Sequence, residues 1–371
     1  MRQTTKLLNE SLSPLYDARE VKAIIRLLLE EVCGMTYTQI VMVQDDPLPE
    51  PQRRILEEYA RRLAAGEPVQ QVMGYTWFKG RKFEISTDVL IPRPETEELV
   101  DIVVESFKNR PVDKPVDSLV ANVVQDSRTG VDNSVDNVQK CLSTGVDNPM
   151  DKGMDNHLDN AQNTLAEAVD KGMDNPVYNL VDIGTGSGCI ALSLAADIHH
   201  SFITAVDLST GALKMAETNA KSLNISNVRF VQADILKEEN EDFSTELSTV
   251  RYDAIVSNPP YICQHEAADM EPNVLEHEPH LALFVPDEDP LLFYRVIAKY
   301  GKRHLKPGGG LYFEINAAYG KETCELLCQL GYQQVQLIQD FTGRDRFVTA
   351  RNVNLNPNPN LNPNVNPNLN R

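Results

Sequence analysis

The tetrapeptide Asn258-Pro259-Pro260-Tyr261 joins residue types that can handle a planar NH2 group. The nitrogen of an amide or of adenine is a poor nucleophile because its lone pair is delocalised into the neighbouring π-system. An Asn side-chain oxygen and the carbonyl of Pro259 can accept its two N–H bonds. That turns the lone pair toward an electrophile and stabilises the positive charge developing on nitrogen. Proline has no N–H of its own, so the turn presents acceptors in preference to donors. Tyr261 adds a flat face for the planar group and a hydroxyl able to bond elsewhere. Two consecutive prolines also end the preceding run, YDAIVS, and force the segment out as a stiff loop. The competing reading is a structural turn carrying an exposed tyrosine.

A second set lies upstream. NLVDIG enters GTGSG and then a helix-forming stretch, so Gly184, Gly186 and Gly188 let the backbone pass close to a ligand at a helix N-terminus. Alone, the pattern serves the pyrophosphate of a nicotinamide dinucleotide, a nucleoside, or only a tight turn. Asp182, two residues ahead of the first glycine, is ill suited to a pyrophosphate and suited to water or to the ammonium group of S-adenosylmethionine. Asp207 closes the next strand, where its carboxylate can accept both ribose hydroxyls. Nicotinamide enzymes share that need, and an Asp ahead of Ser209 and Thr210 can equally cap a helix. Asp234 ends the third strand and is read as a partner for the adenine amino group, or as a surface carboxylate. With a sulfonium donor, methyl transfer is an in-line displacement of an excellent leaving group. Placement then supplies much of the catalysis, and neither a nucleophilic side chain nor a metal is required.

These loops need a sheet to hold them. NLVDIG, FITAVDL, VRFVQAD, YDAIVS, GLYFEI, YQQVQLIQD and RFVTAR read as strands, with helices near CIALSLAADI, GALKMAETNAKSL, PLLFYRVIAKYGKRHL and KETCELLCQLG. Such alternation predicts a parallel sheet covered on both faces. Only FTGRD joins the last two strands, too short for a crossover, so they pair antiparallel. The expected fold class is α/β: a doubly wound, mostly parallel seven-stranded sheet over residues 179–351, preceded by a small helical domain.

That domain, residues 1–78, follows from EVKAIIRLLLEEV, with Val21, Ile24, Ile25, Leu28 and Leu29 at helical spacing. It follows also from PEPQRRILEEYARRLAAG, where Pro49 and Pro51 suit a helix start and Gly66 its stop. Residues 79–108 are read as a hairpin around Gly80 and a helix opened by Thr96 with Glu97 and Glu98. Between them Pro92 and Pro94 stiffen IPRPETE. Arg93 and Glu95 are expected to pair, and the block forms a wall of the active site or an interdomain brace. Residues 109–178 repeat Val-Asp-Asn with almost no aromatic residues, which predicts a disordered insert without catalytic role; the tail, 352–371, repeats Asn-Pro and is expected to be extended. A functional repeat domain is the alternative in either place.

The formal net charge is −19, and Lys and Arg never gather into a dense run, which argues against nucleic acid as substrate. The opening MRQTTKLLNE lacks the apolar region of a signal peptide, and no apolar run approaches the roughly 20 residues of a membrane span. The expected setting is the cytoplasm, with no membrane partner. Six cysteines lie without metal-ligand spacing. Cys324 and Cys328, four apart on a predicted helix, have no second Cys or His pair and are read as packing residues.

An NPPY turn after the fourth strand is common to adenine-amine DNA methyltransferases and to the protein-glutamine methyltransferases that modify peptide chain release factors. The chain resembles the second group, the release factor glutamine methyltransferases also called HemK or PrmC. The resemblance is carried by GEPVQQVMGYTWFKGRKFEIS, VLIPRPETEELV, LVDIGTGSGCIALSLA, NPPYI followed by HEPHLALF, and GRDRFV. It spans about residues 15–108 and 179–351 and implies a class I methyltransferase using S-adenosylmethionine.

On that resemblance Gly184, Thr185, Gly186, Ser187 and Gly188 line the methionine part of the cofactor, and Asp207 holds its ribose. Phe243 lies where relatives often place a Trp near the adenine. Asn258, Pro259, Pro260 and Tyr261 bind the acceptor, the glutamine of a Gly-Gly-Gln loop in a release factor. Asn258, Pro259 and Tyr261 form the catalytic set, and Asn258 also borders the cofactor. A monomer is expected. In typical members a short connection stands where residues 109–178 do here; an exposed connection tolerates length, so activity is expected to survive it. The runner-up, a DNA adenine methyltransferase, needs a basic groove that the acidic balance does not offer. A non-catalytic binding module and a nicotinamide oxidoreductase are further alternatives.

Overall fold

The apolar spacing of the N-terminal segment produces five helices in the computed structural model, which describes residues 1–108, 178–237 and 245–353. These are α1 (Arg2–Leu12), α2 (Ala18–Cys33), α3 (Tyr37–Met42), α4 (Glu50–Ala64) and α5 (Val69–Met73). Asp17 caps α2 by accepting from the amides of Arg19 and Glu20, and Gly34 at φ 62° ends it. Pro49 precedes α4, Pro51 sits in its first turn, and Gly66 follows at φ 87°. The stripe Val21, Ile24, Ile25, Leu28 and Leu29 packs with Leu8, Leu12, Leu56 and Leu63 in one core. Each such side chain contributes roughly 1.5–3 kcal/mol on burial, which outweighs helix propensity in fixing the arrangement.

The strands β1 (Tyr75–Phe78) and β2 (Arg81–Glu84) form a hairpin. Its corner is Lys79 and Gly80, both left-handed at φ 49° and 70°, as a two-residue turn between twisted strands requires. The Lys79 amide donates to Glu97, bonding the hairpin to α6 (Pro94–Lys108). This helix starts ahead of the expected opening. Thr96 lies within its first turn, is buried, and gives its hydroxyl hydrogen to Glu314 instead of capping the helix.

The sheet holds β3 (Tyr178–Ile183), β4 (Ser201–Asp207), β5 (Val228–Gln232), β6 (Tyr252–Ser257), β9 (Leu305–Glu314), β10 (Gln333–Gln339) and β11 (Asp345–Arg351). Their order is β10-β11-β9-β6-β3-β4-β5, and every pair is parallel except those involving β11. It is the seven-stranded, mostly parallel α/β fold expected, with the short FTGRD link making the antiparallel hairpin. The helices α7 (Cys189–Asp197) and α8 (Thr210–Ser222) connect β3, β4 and β5, after which α9 (Thr245–Thr249) leads into β6.

From β5 the chain returns to the other side of β3, so strand order switches between β3 and β6. Ligands of open α/β sheets bind outside the strand ends at such a switch. Between β6 and β9 the chain makes an excursion. Its parallel pair β7 (Ile262–Cys263) and β8 (Phe284–Val285) encloses α10 (Pro272–His277) and α11 (His280–Leu283), and α12 (Leu292–His304) leads back to the sheet. The last crossover is α13 (Gly320–Gln329).

The sheet and the N-terminal helices belong to one compact unit. Of the expected insert only Tyr178, which opens β3, falls within the described residues, and of the tail only Asn352 and Val353. No described helix is long and apolar enough to cross a membrane.

Candidate active site

The glycine loop leaves β3 with Gly184, Gly186 and Gly188 at φ 78°, 54° and 81°. An L side chain at each of these would be strained. The amides of Gly184 and Thr185 both donate to the Val206 carbonyl, which folds the loop back over β4. Gly188 is tight for a second reason: a Cβ there would stand 3.0 Å from that of Ala216, so glycine lets α8 pack on the loop. Thr185 and Ser187 are buried beneath it. Asn219, on α8, completes the cradle. Its amide nitrogen donates to the carbonyls of Ser187 and Glu84, and its oxygen accepts from the Glu84 amide at 2.7 Å. Nothing in the local sequence marks that role.

Asp182 is fully buried. One carboxylate oxygen accepts from the Thr185 hydroxyl at 2.7 Å and the Ala191 amide at 3.2 Å; the other has no protein partner. Burial pushes its pKa up to about 7. A buried acceptor left over beside a glycine loop fits a ligand bearing an ammonium group, directly or through water, as S-adenosylmethionine does. Asp207, half-buried at the end of β4, accepts from the Gly186 amide and the Ser209 amide, both at 2.9 Å. Burial raises its pKa, and those bonds offset part of the rise. It does not cap α8, since Ser209 does so by accepting from Ala212. Its carboxylate has lone pairs left for ribose hydroxyls. Asp234 follows β5 and accepts from the Leu236 amide at 3.0 Å, capping a short turn over Ile235–Lys237. Phe243 lies outside the described residues.

The NPPY turn leaves β6 beside this loop. Ser257 pairs with Ile183 across the β3–β6 ladder and gives its hydroxyl hydrogen to the Ile183 carbonyl at 2.6 Å. A Cβ at Gly184 would come within 3.8 Å of the Asn258 carbonyl oxygen, so the two loops run side by side. Asn258, Pro259 and Tyr261 line a cavity of ≈ 320 Å³ with Leu90 and Arg93 of the linker and Met270, Val274 and Leu283 of the excursion. Pro260 completes the turn and is partly buried. The Asn258 amide nitrogen donates to the Thr96 hydroxyl at 3.4 Å. Among the described residues nothing donates to Asn258 Oδ1 or to the Pro259 carbonyl. The Tyr261 hydroxyl donates to Glu314, and its burial raises its pKa, keeping it a neutral donor.

IPRPETE walls this cavity, but the expected pairing of Arg93 with Glu95 does not form. Arg93 donates to Glu278 at 2.6 Å, and the other Glu278 oxygen accepts from the Ile91 amide. Glu278, in HEPHLALF, is buried, and a buried carboxylate needs both partners. Next to it the His277 carbonyl accepts from Gln71 of α5, tying the helical domain to the cavity wall. Among the described residues one trio of potential metal ligands lies together, Cys263, His265 and Asp287. Existing contacts engage them: His265 with Asp287 at 2.9 Å, and Cys263 with the Tyr319 hydroxyl at 3.5 Å.

Known proteins match this arrangement over most of its length. Residues 2–74 match the family described as PrmC N-terminal domain, and residues 154–278 that described as Methyltransferase small domain. The release factor glutamine methyltransferase of Bacteroides thetaiotaomicron is 36% identical over 350 residues, covering 94% of this chain and 99% of that protein. The protein of the same name from Flavobacterium psychrophilum is 34% identical, covering 91% and 94%. A solved protein-(glutamine-N5) methyltransferase of Alicyclobacillus acidocaldarius is 22% identical, covering 73% of this chain and 99% of its own, with a TM-score of 0.34.

Proposed function

The chain belongs to the release factor glutamine methyltransferase family, enzymes dependent on S-adenosylmethionine, and from that premise we propose that it methylates the side-chain amide nitrogen of the glutamine in the Gly-Gly-Gln loop of peptide chain release factors. The observation that carries this reading is the pair of unengaged acceptors, Asn258 Oδ1 and the Pro259 carbonyl, in a cavity beside the glycine loop. When bound, S-adenosylmethionine supplies an electrophilic methyl group on a sulfonium centre.

The chain's own residues orient and polarise. Gly184, Thr185, Gly186, Ser187 and Gly188 line the methionine portion; Asp182 takes its ammonium group, Asp207 the ribose, and Asp234 with Phe243 the adenine. Asn258 Oδ1 and the Pro259 carbonyl accept the two N–H bonds of the substrate carboxamide. Both acceptors strengthen their hold as positive charge grows on nitrogen, so they favour the transition state over the bound substrate. Pro260 keeps the turn stiff, and the Tyr261 ring covers one face of the amide.

The N-terminal helices are read as the surface that recognises the release factor. This domain leaves Leu15, Tyr37 and Met42 exposed, the last at 79%. We read the enzyme as a cytoplasmic monomer without a nucleic-acid substrate, supported by its net charge of −19. The test is transfer of tritium from labelled S-adenosylmethionine to purified release factor or to DNA, with peptide mapping of the product. Label on the glutamine of Gly-Gly-Gln is expected; label on DNA alone overturns the reading.

A further inference from the structure

The carboxyl group of Glu314 is buried, 1% exposed, at the end of β9. Phe313 pairs with Ser257 across the β9–β6 ladder, so Glu314 comes level with Asn258 as the two strands leave the sheet. A carboxyl in such a place is expensive unless it is engaged, and both of its oxygens are. The Thr96 hydroxyl donates to Oε2 at 2.7 Å and the Tyr261 hydroxyl to Oε1 at 3.3 Å. Both neighbours donate, so the group they serve acts as an acceptor on each side. Burial raises its pKa, and the two hydroxyl bonds together with the positive charge of Arg346, itself held by Asp340 at 3.1 Å, offset part of the rise.

Thr96 has a single hydroxyl hydrogen. With that hydrogen on Glu314, its oxygen can only accept, and the group it meets next is the side-chain amide of Asn258 at 3.4 Å. The two ends of an asparagine amide have almost the same shape, and the polarity of the neighbours decides which way it sits. Turned one way, Nδ2 donates to Thr96 and Oδ1 is left for the cavity. Turned the other way, Oδ1 faces a hydroxyl with no hydrogen to offer, and Nδ2 meets a substrate NH2, donor against donor.

We infer that Glu314, acting through Thr96, is the positioning residue that fixes which end of the Asn258 amide faces the acceptor cavity. Through the Tyr261 hydroxyl the same carboxyl pins the far end of the turn. The inference rests on the proposed role of Asn258 as an acceptor and adds that this role is imposed by a residue that does not touch the substrate. The three groups come from a helix, a loop and a strand far apart in sequence, and no local motif contains them.

The test uses the full chain with release factor as substrate. Thr96→Val removes the hydroxyl at nearly constant volume. It is expected to lower kcat by about 10- to 100-fold while KM for release factor and the cofactor dissociation constant stay within about threefold, because orientation is lost and binding surface is not. Thr96→Ser returns the hydroxyl and is expected to restore kcat to within about fivefold. Glu314→Gln keeps the shape but can donate to Thr96, freeing its hydrogen to point at Asn258; kcat is expected to fall as for Thr96→Val, with thermal melting still cooperative. The inference is overturned if Thr96→Val and Glu314→Gln keep kcat within about twofold, or if Thr96→Ser is as impaired as Thr96→Val. Asn258→Ala separates this from the reading beneath it. An inactive Asn258→Ala beside an active Thr96→Val sinks the positioning role alone, whereas an active Asn258→Ala sinks the acceptor role.

Discussion

The glycine loop and the NPPY turn leave adjacent parallel strands at the same edge of the sheet, yet they are built in opposite ways. The first works through backbone freedom: three glycines at positive φ fold it over the Val206 carbonyl and against α8. The second works through backbone stiffness, with two prolines holding the turn and Glu314 anchoring its side chains from outside. A loop that wraps a flexible, extended cofactor gains from close backbone approach. A turn that must aim one lone pair gains from fixed acceptors. Substitutions in the first should therefore act on folding and cofactor affinity, and substitutions in the second on turnover.

The largest expected effect is Asn258→Ala, which removes a preorganised acceptor. Turnover should fall by about 10²- to 10³-fold, about 3–4 kcal/mol, while cofactor affinity by calorimetry changes little. A comparable loss of cofactor affinity would erase the contrast between the two loops.

Gly188→Ala tests the other side. It combines a left-handed backbone with a Cβ 3.0 Å from Ala216, and should cost about 2–4 kcal/mol of stability, seen as a melting temperature lower by about 5–10 °C. Gly186→Ala has open space around its Cβ and only the backbone strain, about 1–2 kcal/mol, so its melting temperature should fall less. The added methyl would enter the space proposed for the cofactor, so its affinity should fall more than its stability. Equal stability losses at the two glycines would deny the close packing of α8.

The remaining contrast is in pH dependence. In the folded protein burial raises Asp182 to about 7, above the ordinary carboxylate value of about 3.9. The folded chain therefore holds a proton that the unfolded chain has lost between about pH 4 and pH 7, and this contribution to stability declines as pH rises through that window. Melts of the cofactor-free protein should show a shallower slope for Asp182→Asn than for the native chain. An ammonium group needs the carboxylate, so native cofactor affinity should rise through about pH 7, and Asp182→Asn should lose that rise. Identical profiles would remove Asp182 from the ammonium site.

What could be read from sequence followed the range of the interactions. The seven strands, the reversed β11 and the glycine positions depend on patterns within a few residues, and the chain displays them. The NPPY turn is equally local. Its supports are not: Thr96 reads as a helix opener until Glu314 is seen beside it, and Arg93 reads as a partner of Glu95 until the fold brings Glu278 to it. Asn219 looks like one more polar residue on a helix, yet it ties β2 to the glycine loop. One signal was available: the Glu of GLYFEI closes an apolar central strand, where a carboxyl needs a reason to be. Asp234 shows the converse, a strand-end carboxylate whose visible work is capping a turn.

The most direct measurement is a crystal structure of the chain with S-adenosylhomocysteine and a Gly-Gly-Gln peptide. The account predicts the glutamine amide nitrogen within about 3.2 Å of both Asn258 Oδ1 and the Pro259 carbonyl, with the Asn258 nitrogen turned to Thr96. A glutamine bound away from this turn, or an Asn258 amide presenting its nitrogen to the substrate, would contradict it.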